Sequence, residues 1–438
     1  MTKTQHRFVK ISLGLLFGLI VIGLTGCQLL WADGTSGGTI VQSDLPRETD
    51  PDVSTEDVGD VASGNTAFAF ELFHEIVEGD KNLFFSPYSI SSALAMAYAG
   101  ARGTTEAEME TTLHFGLGQA VVHPAFNRLD LELNSRGDLP PPYEGEGFQL
   151  NVVNAVWGQQ DHVFLSDYLD TLAVNYGAGL RLLDFLRDPD GSRLTINDWV
   201  SDQTNERIQD LLPQNSITPD TVFVLTNAIY FNAPWLNPFE QERTEIGSFT
   251  GLDDTTVETP MMHQQTRFGY AEWANGRAVE LLYNGAELSM VVLLPDAGQF
   301  QTFVEGLNAS QYEAIVASLT MREVDLRFPK FEFDYDVSLA DPLAALGMPT
   351  AFQPLAADFS GIDGTKDLLI SDVLHKAFVS VDEEGTEAAA ATAIVFVGTG
   401  MPEPPVIVNV DCPFLFVIRD IPTGSILFIG QVVQPSEG

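Results

Sequence analysis

The chain has 438 residues, 45% hydrophobic and 19% charged, enough apolar content to bury a large core, which excludes disorder over most of its length. It carries 61 Asp+Glu against 21 Lys+Arg, a formal net charge of −40, and a surface this acidic repels phosphate backbones, which argues against nucleic-acid binding. The length alone leaves one large domain or two to three ordinary ones open.

Lys3, Arg7 and Lys10 open the chain without an acid before residue 27, and the uncharged run Ile11–Gly26 follows. At 16 residues the run is short for a membrane span, which needs about 20. It ends in Leu24-Thr25-Gly26-Cys27, which resembles the lipobox of bacterial lipoproteins. That resemblance implies a signal peptide over 1–26, cleavage before Cys27 and acylation of that cysteine, hence a membrane anchor. Residues 27–63 then read as an acidic tether. From Gln28 to Ser63 there are eight acids and one base, Arg47, with no persistent apolar period. Gly34-Thr35-Ser36-Gly37-Gly38 matches a hydrolase nucleophile elbow in letters only, because no strand precedes it and no helix follows.

From about Gly64 the texture is globular. Phe70, Phe73 and Val77 share one helical face. Ser86-Pro87 opens a second helix as cap and first-turn proline, Ile90–Ala99 reads as buried, and Gly100 as its stop. Thr105 and Glu108 predict a capping box for a third helix. Strands are expected at Thr221–Phe231, Ser289–Leu294, Pro413–Ile418 and Ser425–Val432. Val324, Leu326 and Phe328 alternate, then Phe331, Phe333 and Tyr335 continue in the opposite phase, which predicts a bulge or an edge at Pro329. Helices first and strands later, without a βαβ rhythm, give the class α+β. Glu383–Ala393 has strong helix formers between strands, and Gly398–Pro405 reads as a flexible loop.

The sequence resembles the serpins. The blocks that carry the resemblance are Asn82–Ile90 (NLFFSPYSI), Leu225–Phe231 through Trp235, His375-Lys376-Ala377, the segment Glu383–Ala393, and Cys412-Pro413-Phe414-Leu415-Phe416, in the family's order over about 64–435. Cys412 departs from the polar or basic residue usual there and is expected to be a buried free thiol. The resemblance implies a domain over 64–435 with three β-sheets, about eight to nine helices and an exposed reactive loop at about 383–405. A protease cleaves that loop, which then inserts into the main sheet while the enzyme is still acylated, so the protein is a single-use trap and not an enzyme.

The same resemblance assigns positions. The hinge is Glu383, Gly385, Thr386, Glu387, Ala388, Ala389, Ala390, Ala391 and Thr392. Strand side chains alternate faces, so Thr386, Ala388, Ala390 and Thr392 form the buried set, all small and uncharged, which favours an inhibitor. Ser86, Ser89, Asn227 and His375 match the polar cluster where the sheet opens. Trp235 and Lys330 match the point where insertion begins, with Lys330 as partner of Glu383. The scissile bond counts to Thr399-Gly400, with Met401 or a neighbour as the alternative. The small bait Val397-Gly398-Thr399 suits elastase- or subtilisin-type serine proteases. An inhibitor of papain-like cysteine proteases and a non-inhibitory surface binding protein are the competing readings. No cofactor or metal site is expected, since the seven histidines are scattered. Partners would be the protease and, through Cys27, a prokaryotic cell-envelope membrane, with the protein itself a monomer.

Overall fold

The structure, a computed structural model, describes residues 38–136, 149–386 and 404–435. Cys27, the hinge residues Glu387, Ala388, Ala389, Ala390, Ala391 and Thr392, and the bond Thr399-Gly400 lie outside the described residues.

Helices dominate the first half: β1 (Thr39–Val41), α1 (Thr55–Ile76), β2 (Leu83–Phe85), α2 (Pro87–Tyr98), α3 (Gly103–Thr112), α4 (Gln119–Ser135), β3 (Gln149–Gln159), α5 (Ser166–Tyr176), β4 (Leu180–Leu183) and α6 (Pro189–Gln203). Strands dominate the centre: β5 (Phe223–Pro234), β6 (Glu245–Thr250), β7 (Thr256–Trp273), β8 (Gly276–Leu282), β9 (Leu288–Pro295), then α7 (Phe300–Gly306) and α8 (Ala309–Ala317). The remainder comprises β10 (Thr320–Pro329), β11 (Phe331–Ser338), α9 (Ala340–Leu346), α10 (Ser360–Asp363), β12 (Val373–Val381), β13 (Gly385–Thr386), β14 (Val406–Asn409), β15 (Phe414–Asp420) and β16 (Ile426–Val432). The class is α+β, with ten α-helices among the described residues.

Two hydrogen-bonded sheets result. One has the order β1-β4-β3-β5-β13-β12-β11, and the other runs β14-β10-β7-β8-β9-β15-β16-β2 with β6 on β7. The expected third sheet is continuous with the second, because the 18-residue β7 pairs with β6 at one end, β8 at the other and β10 along the stretch Met261–Tyr270 between them. β5 is buried along its whole length, which is why it reads as a mostly apolar run, interrupted only by Thr226, Asn227 and Asn232. β12 alternates buried and half-buried residues with the period of a strand. The main core joins both sheets to α1, α2 and α4. A second, smaller core lies between α6 and the seven-stranded sheet, built from Trp157, Ile196, Trp199, Val224 and Ala228 among others.

Three expectations change. Pro329 marks no bulge: β10 ends there in one sheet and β11 begins at Phe331 in the other, as an edge strand, so the reversed phase reflects a change of sheet. Thr105 and Glu108 form no capping box. α3 starts at Gly103 with no side-chain cap; the Thr105 hydroxyl accepts the Asp358 N–H at 2.9 Å, and the Glu108 carboxylate accepts from the Thr350 N–H and hydroxyl at 2.9 and 2.8 Å.

The third concerns the tether. Its residues 27–37 lie outside the described residues, but 38–63 belongs to the folded body. Ser54 and Asp57 form a reciprocal capping box that starts α1 at Thr55, and Val58, Val61 and Ala62 are buried. Upstream, β1 extends the sheet beyond β4, pairing Thr39 with Leu182. Arg47 then bonds Asp130 at 2.6 Å and Asn127 at 2.8 Å, and the Glu48 N–H donates to the Val174 carbonyl at 2.9 Å. The strap is held by backbone bonds and one arginine, so it has no apolar period to betray it. Arg47→Ala should therefore cost about 1 kcal/mol or slightly more, the pair being a quarter exposed, and lower the melting temperature by a few degrees. An unchanged melt would mean that the strap is idle.

Candidate functional site

The site lies along the seam between β5 and β12. These parallel strands pair over Leu225–Ile229 and Val373–Ala377. Above that stretch β13 is wedged between them, Gly385 opposite Pro234 and Thr386 opposite both Ala233 and Val381. β13 runs antiparallel to β5, so the chain leaving Thr386 is aimed down the seam. A Cβ on residue 385 would lie 2.3 Å from the Ala233 carbonyl oxygen and 2.7 Å from the Pro234 Cα. Only glycine lets the two backbones approach this closely.

The turn before the wedge is tied down on every side. The Asp382 carboxylate accepts the N–H groups of Glu384 and Gly385 at 2.9 and 3.2 Å. Trp235 donates its backbone N–H to the Glu384 carbonyl at 2.8 Å and its indole N–H to the Asp382 carbonyl at 3.0 Å. The Phe239 N–H reaches the Glu383 carbonyl at 2.7 Å. Glu383 is 5% exposed; Lys330 donates to one carboxylate oxygen at 2.7 Å and the Thr244 hydroxyl to the other at 2.6 Å. Burial would raise this carboxyl, but these donors more than offset it and hold it below the ordinary glutamate range. Thr386 points into the core, its hydroxyl 2.8 Å from that of Tyr283, which stacks on Trp235 at 4.6 Å between ring centroids. Trp235 and Lys330 are thus brought to the base of the hinge with Glu383, Gly385 and Thr386.

Ser86, Ser89, Asn227 and His375 are also brought together, lower on the same seam. Ser86 caps α2, and its hydroxyl accepts the Ser89 N–H at 3.1 Å. The Ser86 N–H donates to His375 Nε2 at 3.2 Å, which leaves the proton on Nδ1 to bond the Asn227 carbonyl oxygen. Asn227 and His375 face each other in register, so this bond spans the two parallel strands of the seam. The Asn227 amide donates at 2.6 Å both to the Ser89 hydroxyl and to the Asn154 carbonyl oxygen. Asn154 on β3 was missed, although a polar residue inside the run Val152–Trp157 was a usable signal. Thr244, Tyr283 and Asp382 were missed as well, and their sequence neighbourhoods carry no such signal.

Burial pushes the His375 imidazole down to about 3 and that of His123, whose Nδ1 meets the Tyr176 hydroxyl at 2.8 Å, down to about 4. The ordinary value near 6.5 holds in the unfolded chain, which therefore takes up protons first as pH falls. Stability from these groups is complete above about 6.5 and erodes through about 4 for His123 and about 3 for His375. Unfolding at about pH 5 should accordingly absorb one proton fewer in His123→Phe than in the parent, read by proton uptake on denaturation. Equal uptake would mean that His123 is already charged in the native state. Cys412 is a free, half-buried cysteine whose thiol burial raises to about 11, so it is inert at neutral pH. Among the described residues no group of three His, Cys, Asp or Glu is placed to hold a metal ion.

The geometry has counterparts among known proteins. The family model for Serpin (serine protease inhibitor) matches residues 63–435. The chain belongs to the serpin family. An uncharacterized serpin-like protein of Thermococcus kodakarensis is 39% identical over 380 residues, 86% of each chain. The leukocyte elastase inhibitor of Bos taurus is 39% identical over 389 residues, 86% of this chain and 99% of that one. Human thyroxine-binding globulin, solved with its ligand, superimposes with a TM-score of 0.77 at 30% identity, covering 87% of this serpin and all of the globulin. Serpins so related thus include both an inhibitor and a binding protein by name, and the seam described above is where this serpin's own chemistry must be sought.

Proposed function

We propose that this serpin is a single-use inhibitor that covalently traps secreted serine proteases of elastase or subtilisin type, held at a prokaryotic cell envelope by a lipid on Cys27. The observation that carries the reading is the wedge. Gly385 and Thr386 already occupy the mouth of the seam with the chain aimed down it, and the residues that would follow on the core side, Ala388, Ala390 and Thr392, add little volume and no charge. In the trapping step the protease serine oxygen attacks the Thr399 carbonyl carbon. The Thr399–Gly400 C–N bond breaks, the Gly400 amine leaves protonated, and an ester joins the two proteins. Insertion of the freed loop as a new strand between β5 and β12 then carries the esterified enzyme away before water can reach it. The 39% identity to a leukocyte elastase inhibitor and the small bait Val397-Gly398-Thr399 support the protease class. The low-lysine, acid-rich surface is what a salty habitat favours and equally what plain solubility requires.

The test is a denaturing gel of the full chain in detergent, incubated with elastase- and subtilisin-type serine proteases and a papain-like cysteine protease. A boiling-resistant band heavier by one serine protease is expected. Loop cleavage with no such band, and no gain in melting temperature after cleavage, would replace this reading with that of a binding protein.

A further inference from the structure

Beyond Gly26 the chain carries 18 cations against 61 acids, and its arginines commonly close on carboxylates. Arg136, Arg193, Arg277 and Arg419 each do so at 2.8–3.2 Å. Two arginines beside the far end of the reactive loop do not, among the described residues. Arg243 donates to Nδ1 of His263 at 3.2 Å, and Nε2 of that histidine donates to Asp325 at 2.7 Å. Arg327, exposed, stands opposite His263 across the β7–β10 pair and opposite Asn409 of β14. The neighbouring carboxylates are engaged, Asp325 by His263 and Glu323 by the Gln265 amide at 3.3 Å. Ile407, 66% exposed, lies on β14 opposite Asp325. Val324, Leu326 and Phe328 face the core, so the odd-numbered side chains of β10 face outward.

We propose that Arg243, His263, Arg327 and Ile407 form a docking surface for the acidic rim of the target protease, on the side of its leaving-group subsites. The inference rests on the reading that a protease takes the bait. β14 directly follows the loop, and the seven residue-to-residue steps from Gly400 to Ile407 span at most about 24 Å. A protease of about 250 residues has a radius of gyration of about 18 Å, so an enzyme seated on Thr399-Gly400 overhangs this face. The molecule's −40 charge repels an acidic enzyme everywhere else. Uncompensated guanidinium groups beside the bait both lower that barrier and orient the enzyme, while Ile407 supplies an apolar contact at the centre.

The experiment measures the second-order rate at which intact loop is lost, counting trapped and merely cleaved chains together, for the full chain in detergent with a subtilisin-type protease of acidic surface. Arg327→Glu is expected to slow that rate about tenfold at low ionic strength, and Arg327→Gln by less in the same direction. The difference should vanish at about 1 M salt, where the screening length falls to about 3 Å. Arg187→Glu, just after β4 of the other sheet, should leave the rate unchanged. Equal rates for parent and Arg327→Glu at low salt would overturn the docking surface. Failure of the inhibitory reading shows separately, as cleaved chains without the heavy band, since the summed rate does not depend on how cleaved chains partition.

Discussion

Thr386→Arg should convert the trap into a substrate. Thr386 is 1% exposed, sits between β5 and β12, and meets Tyr283 at 2.8 Å against the ring stacked on Trp235. A guanidinium cannot keep that buried position unpaired without a penalty of several kcal/mol even after relaxation, so residue 386 would leave the seam and insertion would have to force it back in. In the proposed mechanism insertion races hydrolysis of the acyl-enzyme, and each 1.4 kcal/mol added to the insertion barrier slows it about tenfold. The heavy, boiling-resistant band is expected to disappear while loop cleavage proceeds at the parent's rate. A variant that still traps stoichiometrically would show that residue 386 need not be held in the seam, and the insertion mechanism would fall. Thr386→Ser, which keeps the hydroxyl and loses only a methyl group, should trap normally.

Asn227→Ala should have the largest effect on the intact molecule. The substitution strips the His375 Nδ1–H of its acceptor, and the Ser89 hydroxyl and Asn154 carbonyl of their shared donor, all on one buried network. Orphaned buried groups cost about 1–3 kcal/mol each, so a loss of about 3–5 kcal/mol is expected, with melting about 5–10 °C lower. Because the His375–Asn227 bond spans the seam, the variant should also lose inhibitory capacity faster on storage with its loop uncut. A melt within about 2 °C of the parent would mean that the network contributes little. Adding Asn154→Ala to Asn227→Ala should cost less than the two single changes summed, since both remove the bond between Asn227 and Asn154.

Several features were legible because their signals are local. The α2 cap needs only Ser86 and Pro87, and the apolar run of β5 announces a strand buried on both faces. Family blocks spread in order along the chain carried the fold. Long-range satisfaction of polar groups was not legible. Thr105 and Glu108 look like a helix start by spacing, yet their oxygens serve Asp358 and Thr350, some 240 residues or more away. Arg47 looks like a stray base in an acidic linker until Asp130 and Asn127 come to face it.

The sequence by itself therefore determined the family, the α+β class and the acidic charge balance, because composition, periodicity and ordered motifs are properties of the chain alone. Only the tertiary structure decided that the N-terminal strap belongs to the body, that Pro329 is a passage between sheets, and that Gly385 and Thr386 already stand in the seam. Those facts depend on which distant groups share a hydrogen bond or a strand edge. A residue's partner across the fold is set by packing, which no spacing along the chain records.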